Sequence, residues 1–191
     1  DLQVWKFLNV SLSHRLIDRV KAMRAMYPDT KLEVAFSRGQ ILSKQWACYE
    51  INRLECPEKL KDTAVLCGWF GTLPSLMLLK SKPGTFQRIR SFDIDESCEI
   101  ISDGLNEMYL DSQGTYKAVT ADIYELDYTT TKIPRNVGTE KSYIEEIDFG
   151  CLINTSCEHL SRFDEWYNSI PEGKLLVLQS NDFFDCEEHK N

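Results

Sequence analysis

The side chains best suited to chemistry fall into a few short clusters. Asp93 and Asp95 stand two apart at the end of an apolar run, and Asp122 follows another such run. A carboxylate after a strand can accept both hydroxyls of a ribose. We assign that task to Asp93, with Asp95 as the cap of the helix that follows. Asp122 suits an exocyclic amine, or else a solvated loop. Gly68 and Gly71 bracket a turn, and glycine lets backbone approach a ligand with no Cβ in the way. Asn154-Thr155-Ser156-Cys157-Glu158-His159 carries polar groups out of an apolar segment. A neutral imidazole is the natural proton acceptor near neutral pH, which makes His159, with Glu158 beside it, the candidate base. The plainer reading is that His159 packs at a helix start. Cys157 has no identifiable helper and reads as packing. Arg38, Gln40 and Lys44 form a polar cluster that suits a carboxylate or an anionic substrate if their helix folds over the site, and a solvated helix start if it does not. His14 reads as surface, and His189 lies in a charged terminus.

The elements that must position these residues can be read from periodicity. His14 to Met26 reads as a helix, with Ser13 as its cap and Pro28 as its stop. Gln40 to Leu54 reads as a second, with Ile41, Leu42, Trp46, Tyr49 and Ile51 as its apolar side. Thr63 to Trp69 is a buried strand meeting a tight turn, and Leu73 to Lys80 a helix broken by Pro83-Gly84. Gln87 to Ile94, Tyr116 to Thr120, Phe149 to Asn154 and Lys174 to Gln179 are further strands. Between them lie a helix at Glu96 to Leu110, with Ile100, Ile101, Leu105, Met108 and Tyr109 inward, and one at Glu158 to Ser169. Residues 128–146 are weakly patterned and read as a loop or small insertion. Strands alternating with helices indicate an α/β fold with a mostly parallel sheet covered on both faces. Ligands then bind at the carboxyl ends of the strands, where the clusters fall.

Composition narrows the class. The chain has 191 residues, 42% hydrophobic and 27% charged, with a net charge of −8. These are globular values, not those of a disordered or fibrous chain. No apolar run nears the ~18 residues that span a bilayer, and the first residues lack the pattern of a signal peptide. Residues 1–90 hold 15 basic and 8 acidic residues, against 7 and 22 in residues 91–191. The acidic half repels a long phosphate backbone, so a broad nucleic-acid groove is disfavoured, although one basic face remains open to RNA. The seven cysteines are odd in number and lack CxxC spacing. Neither a disulfide framework nor a metal site is expected, and a cytoplasmic setting fits best.

Taken together and in order, the motifs carry a resemblance. Ala64-Val65-Leu66-Cys67-Gly68-Trp69-Phe70-Gly71, Ser91-Phe92-Asp93-Ile94-Asp95 and Thr120-Ala121-Asp122-Ile123 look like the first three motifs of the class I S-adenosylmethionine-dependent methyltransferases. Glu158-His159-Leu160, then Pro171-Glu172-Gly173-Lys174-Leu175-Leu176, is similar to a later stretch of many small-molecule methyltransferases. The first motif departs from the family in keeping only Gly68 and Gly71 and in placing Cys67 and bulky Trp69 in the turn. The resemblance covers roughly residues 60–182. It implies a Rossmann-like three-layer sandwich over residues 61–191, under an N-terminal helical cap at 1–60. It implies S-adenosyl-L-methionine as cofactor, held by Gly68, Trp69, Gly71, Asp93, Ile94, Asp122, Ile123 and Asn154, with Arg38 and Lys44 toward substrate and His159 and Glu158 as catalytic groups. The family's sheet has two further strands, the last antiparallel, with no counterpart after the fifth strand here. Either the chain is a piece or its sheet closes differently.

The activity this implies is methyl transfer to a small molecule or nucleotide. Two alternatives stand beside it: a non-catalytic cofactor-binding module, since fold alone does not establish chemistry, and an RNA methyltransferase. A nicotinamide dinucleotide enzyme would want G-x-G-x-x-G, which the turn does not supply.

Overall fold

A computed structural model describes residues 13–110 and 114–180. Cys186 and His189 lie outside the described residues, as do parts of both expected domains. Among the described residues, four helices precede the first strand: α1 (His14–Met26), α2 (Leu32–Ala35), α3 (Arg38–Ile51) and α4 (Pro57–Leu60). Then come β1 (Asp62–Leu66), α5 (Thr72–Lys80), β2 (Arg88–Asp93), α6 (Glu96–Leu105) and β3 (Tyr116–Thr120). The chain continues through β4 (Thr131–Arg135), β5 (Tyr143–Ile147), β6 (Cys151–Asn154), α7 (Phe163–Asn168) and β7 (Leu175–Leu178).

Five strands form one sheet in the order β3-β2-β1-β6-β7, with every neighbour pair parallel. Strand order reverses between β1 and β6, and that switch point opens a crevice at the carboxyl edge. Apolar residues from these strands are buried on both faces because both are covered. Val65, Ile89, Cys151 and Ile153 face a core shared with α1, α3, α5 and α6. Ala64, Leu66, Phe92 and Leu152 face a second core closed by Phe149, Ile133, Ile147 and Trp166. This is the three-layer Rossmann-like sandwich that the resemblance implies.

Local chemistry sets the helix ends. Ser13 Oγ accepts from the Leu16 N–H at 3.4 Å, and Asp95 Oδ1 accepts from the Ser97 N–H at 2.9 Å. The Ser97 side chain, and after it this Ser97 N–H, hold Asp95 below the usual carboxylate range at an exposed helix start. Gly71 begins α5 in the left-handed region, φ +70°, where a Cβ would also strike Ser102, Tyr116 and Asn106.

Several elements differ from the sequence expectation. Residues 128–146 contain a ribbon, β4 paired antiparallel with β5. Only Thr131, Ile133 and Ile147 are fully buried, and an ion pair occupies the inward position at Glu145, so the apolar alternation is faint. The expected helix 158–169 is broken at Leu160, which is extended, leaving a 3-10 turn at Cys157–His159 and the short α7. The helix from Glu96 stops at Leu105 because the buried Asn106 side chain donates to the Gly71 and Ser102 carbonyls, and a 3-10 turn at Glu107–Tyr109 follows. On α3 the buried stripe is Ile41, Ala47, Cys48 and Ile51, while Leu42, Trp46 and Tyr49 are exposed. On α6, Ile100 is exposed rather than inward.

Candidate active-site cleft

A cleft of about 1180 Å³ opens at the carboxyl edge of the sheet, lined from the turn after β1, the ends of β2 and β3, the segment after β6, and α3. Among the described residues, no helix is long and apolar enough to cross a membrane, and no cluster of three or more acidic, His or Cys side chains could hold a metal.

The turn after β1 is its most constrained wall. The Gly68 N–H donates to the Phe92 carbonyl at 2.8 Å, and a Cβ on Gly68 would run into Ser91. Cys67 and Trp69, on either side, have φ of 52° and 46°, a region L side chains avoid at a cost of roughly 1–2 kcal/mol each. Together with Gly71, alternate residues of the turn take the glycine conformation, but only the last is a glycine. Such backbone persists only where its surroundings over-determine it. One determinant is Asp93, whose Oδ2 accepts from the Trp69 N–H at 2.8 Å while Oδ1 accepts from the Asp95 N–H at 3.1 Å. The carboxylate is thereby fixed at the cleft wall. Each oxygen retains a second lone pair. Cys67, mostly buried beside Asp93, has its thiol pushed up to about 12, chiefly by desolvation, which makes it a poor nucleophile at neutral pH.

The third strand ends in a loop that presents Ala121, Ile123 and Tyr124 to the cleft. Asp122 Oδ1 accepts from the Tyr124 N–H at 2.9 Å and so holds that loop. Across the cleft, α3 contributes Gly39, Gln40, Ser43 and Lys44, and the Gln179 amide donates to Ser43 Oγ at 2.9 Å, tying α3 to the end of β7. The Lys44 ammonium donates to Gln40 Oε1. Burial pulls its pKa down to about 8, against the opposing field of Glu158. The His159 side chain is 40% exposed, with Nε2 3.8 Å from Glu158 Oε1. That separation is an ion pair when the imidazole is protonated and too long for a hydrogen bond.

Of the residues named from sequence, Lys44, Gly68, Trp69, Asp93, Ile94, Ile123, Glu158 and His159 line one cleft. Arg38, Gly71, Asp122 and Asn154 do not line it. Arg38 starts α3, and Gly71 is the buried last residue of the turn. Asn154 is fully buried, and its Oδ1 accepts from the Ser156 N–H at 2.8 Å, which shapes the turn after β6. Cleft residues not anticipated include Ser43, Tyr124 and Gln179. Only the i, i+3, i+4 relation of Gln40, Ser43 and Lys44 on one helix face could have pointed to Ser43.

No family model and no curated protein matches this sequence. Solved structures do match in fold. Two are of the methyltransferase domain of a bacterial protein, CtHen1. One has a TM-score of 0.50 at 17% identity over 72% of this chain and 65% of the other. The second has 0.53 at 13% identity over 78% and 74%. The SAH-bound methyltransferase PaMTH1 of Podospora anserina has a TM-score of 0.53 at 7% identity, over 87% of this chain and 62% of its own length. This chain therefore spans less than two thirds of the length of two of the three. On sheet order, switch-point cleft and these likenesses, the chain has the Rossmann-like fold of the class I S-adenosylmethionine-dependent methyltransferases.

Proposed function

We propose that this chain binds S-adenosyl-L-methionine in the cleft and transfers its methyl group to a small-molecule or nucleotide acceptor. The observation that carries the reading is Asp93, a carboxylate oriented by two backbone N–H groups at the end of β2 and aimed into the crevice where strand order reverses.

The residues present suit the cofactor. Asp93 has lone pairs left for a ribose diol. Ala121, Ile123 and Tyr124 offer a mostly apolar slot for a purine, with Asp122 holding their loop. Lys44 offers a cation to a carboxylate, and the Gln179 amide oxygen, whose surroundings exclude water, lacks a hydrogen-bond partner. The cleft exceeds the ~300–1,000 Å³ of ordinary ligand pockets, which leaves space for cofactor and acceptor together. Of the helices over residues 14–60, α3 acts as the cap and supplies one wall, while α1 packs with α6 in the core against the sheet.

When bound, the sulfonium supplies an electrophilic methyl. The chain's own task is to orient the acceptor, exclude water and remove a proton. Glu158 Oε1 stands 3.8 Å from Nε2 of His159, so an imidazole that takes the acceptor's proton has a carboxylate beside it to stabilise the imidazolium that forms. Lys44 is the lysine or arginine of the lining, while Asp93 and Glu158 carry negative charge. That balance favours a compact acceptor over an RNA backbone, which would need several cations.

Calorimetry with S-adenosylmethionine and S-adenosylhomocysteine tests the binding half. Asp93→Ala should weaken both by roughly 1–3 kcal/mol, because two ribose hydroxyls lose their acceptor. Unchanged affinity would remove Asp93 from the site. Binding without turnover on a broad panel of acceptors would leave a non-catalytic module as the better reading.

Lys44 gives the binding a pH signature. The amine is charged below about pH 8 and neutral above it. Cofactor affinity should be level in Lys44 charge below pH 8 and fall as pH rises through it. Lys44→Met should remove that component of the pH profile, and a profile identical in both proteins would assign the carboxylate to another group. Lys44 also affects folding. Its folded pKa lies below the unfolded value, so the unfolded chain holds more proton between about pH 8 and 10.5, and stability from this group rises with pH across that window.

A further inference from the structure

We propose that Trp69 makes the site selective for the charged sulfonium of S-adenosylmethionine over its neutral thioether product. This rests on the cofactor reading above. Trp69 occupies a left-handed backbone position, φ 46°, in the tight turn after β1, where glycine is the unstrained residue. Its side chain lines the cleft, and its ring stacks on buried Phe70 with centroids 4.8 Å apart and planes at 25°. Stacking on Phe70 holds the plane of the indole at the cleft wall. The backbone N–H of the same residue is bonded to Asp93 Oδ2 at 2.8 Å. The residue that fixes the ribose-binding carboxylate therefore also carries the aromatic wall next to it.

The sulfur of the cofactor is attached to the carbon beside the ribose ring. A ribose seated on Asp93 brings that sulfur to the turn carrying Trp69. An indole face attracts a cation through its quadrupole, and indole is the strongest of the aromatic side chains in this respect. The thioether lacks the charge and gains only contact area. A large apolar side chain in a strained turn thus has a use that a glycine could not serve: it discriminates donor from spent donor in a cleft whose Asp93 and Lys44 treat the two alike.

The test is the ratio of affinities, measured by calorimetry on the intact chain. The wild type should bind S-adenosylmethionine more tightly than S-adenosylhomocysteine. Trp69→Leu should reduce that ratio by roughly 2- to 30-fold, with most of the loss on the sulfonium ligand. Trp69→Phe keeps a ring and should retain part of the preference. Because Trp69→Leu can disturb the turn, a second readout is the fluorescence difference between the wild type and Trp69→Phe: the charged ligand should perturb the missing tryptophan's emission more than the thioether does. An equal ratio in wild type and Trp69→Leu, with both ligands binding, overturns the inference while leaving the cofactor reading intact. Failure of both ligands to bind the wild type overturns the cofactor reading instead.

Discussion

Glu145→Ala is expected to remove about 3–5 kcal/mol of folding stability, the cost of stranding a buried charge without its partner. Arg90 sits in the interior strand β2 with 1% of its side chain exposed, and Glu145 on the ribbon is 11% exposed. Arg90 Nε and Nη2 donate to the two carboxylate oxygens at 3.0 and 2.6 Å, and Arg135 Nη1 adds a third bond at 2.8 Å. Burial pushes the Glu145 pKa up, but the hydrogen bonds and charge of Arg90 and Arg135 outweigh it and hold the group below the usual carboxylate range. Its contribution is therefore complete above the unfolded pKa of about 4.3 and is lost as pH falls through the lower folded value. Urea unfolding at pH 7 measures the loss. Replacing the whole cluster, Arg90→Met and Arg135→Met with Glu145→Leu, should recover most of it, since apolar side chains of similar size replace buried ionic clusters at little cost. A loss below 1 kcal/mol for Glu145→Ala would show that water reaches Arg90 and that the ribbon is not pinned through this pair.

The second large effect concerns His159. His159→Ala should lower the rate of S-adenosylhomocysteine release, measured with a pool of small amines, phenols and nucleosides as acceptors, by roughly 10²–10⁴-fold, the usual contribution of a positioned general base. Cofactor affinity should stay within a few-fold of wild type, because the imidazole follows β6, across β1 from the β2 strand that ends in Asp93, and carries no proposed bond to the cofactor. Glu158→Gln should produce a smaller loss, since it removes the charge that stabilises the imidazolium while leaving the ring in place. A wild-type rate for His159→Ala would mean that the acceptor arrives already deprotonated or that another group takes the proton.

What was readable in the sequence follows from which signals are local. β1, β6 and β7 carry runs of Val, Leu and Ile that announced them, β2 and β3 were marked by shorter apolar stretches between polar residues, and the alternation of strands with helices gave the parallel sheet. Asp95 was legible as a cap because capping is settled within three residues. Long-range contacts decide what stayed hidden. The inward position of β5 carries Glu145, whose partner Arg90 is 55 residues away, so a strand with a charged core position read as a loop. The end of α6 depends on the Asn106 amide reaching the Gly71 carbonyl, 35 residues back. On α3, Leu42, Trp46 and Tyr49 look like an apolar face, yet the helix turns Ile41, Cys48 and Ile51 inward, because Gln40, Ser43 and Lys44 must face the cleft. In the site itself, the acids and the polar run after β6 were conspicuous by their place after strands. Asn154 and Asp122 were equally conspicuous, but their side chains accept from backbone two residues on and shape the turns that carry Ser156 and Tyr124. A short side chain that can satisfy its own loop cannot be told from a ligand-binding one by position alone.

The central claim is that Asp93, the turn around Gly68 and the loop of Ile123 converge on one adenosine. A crystal structure of the chain with S-adenosylhomocysteine tests it most directly. The account requires the ribose hydroxyls within hydrogen-bond distance of the Asp93 carboxylate and the purine against Ile123 and Tyr124. A nucleoside bound away from Asp93, or a saturated crystal whose cleft holds none, would contradict it.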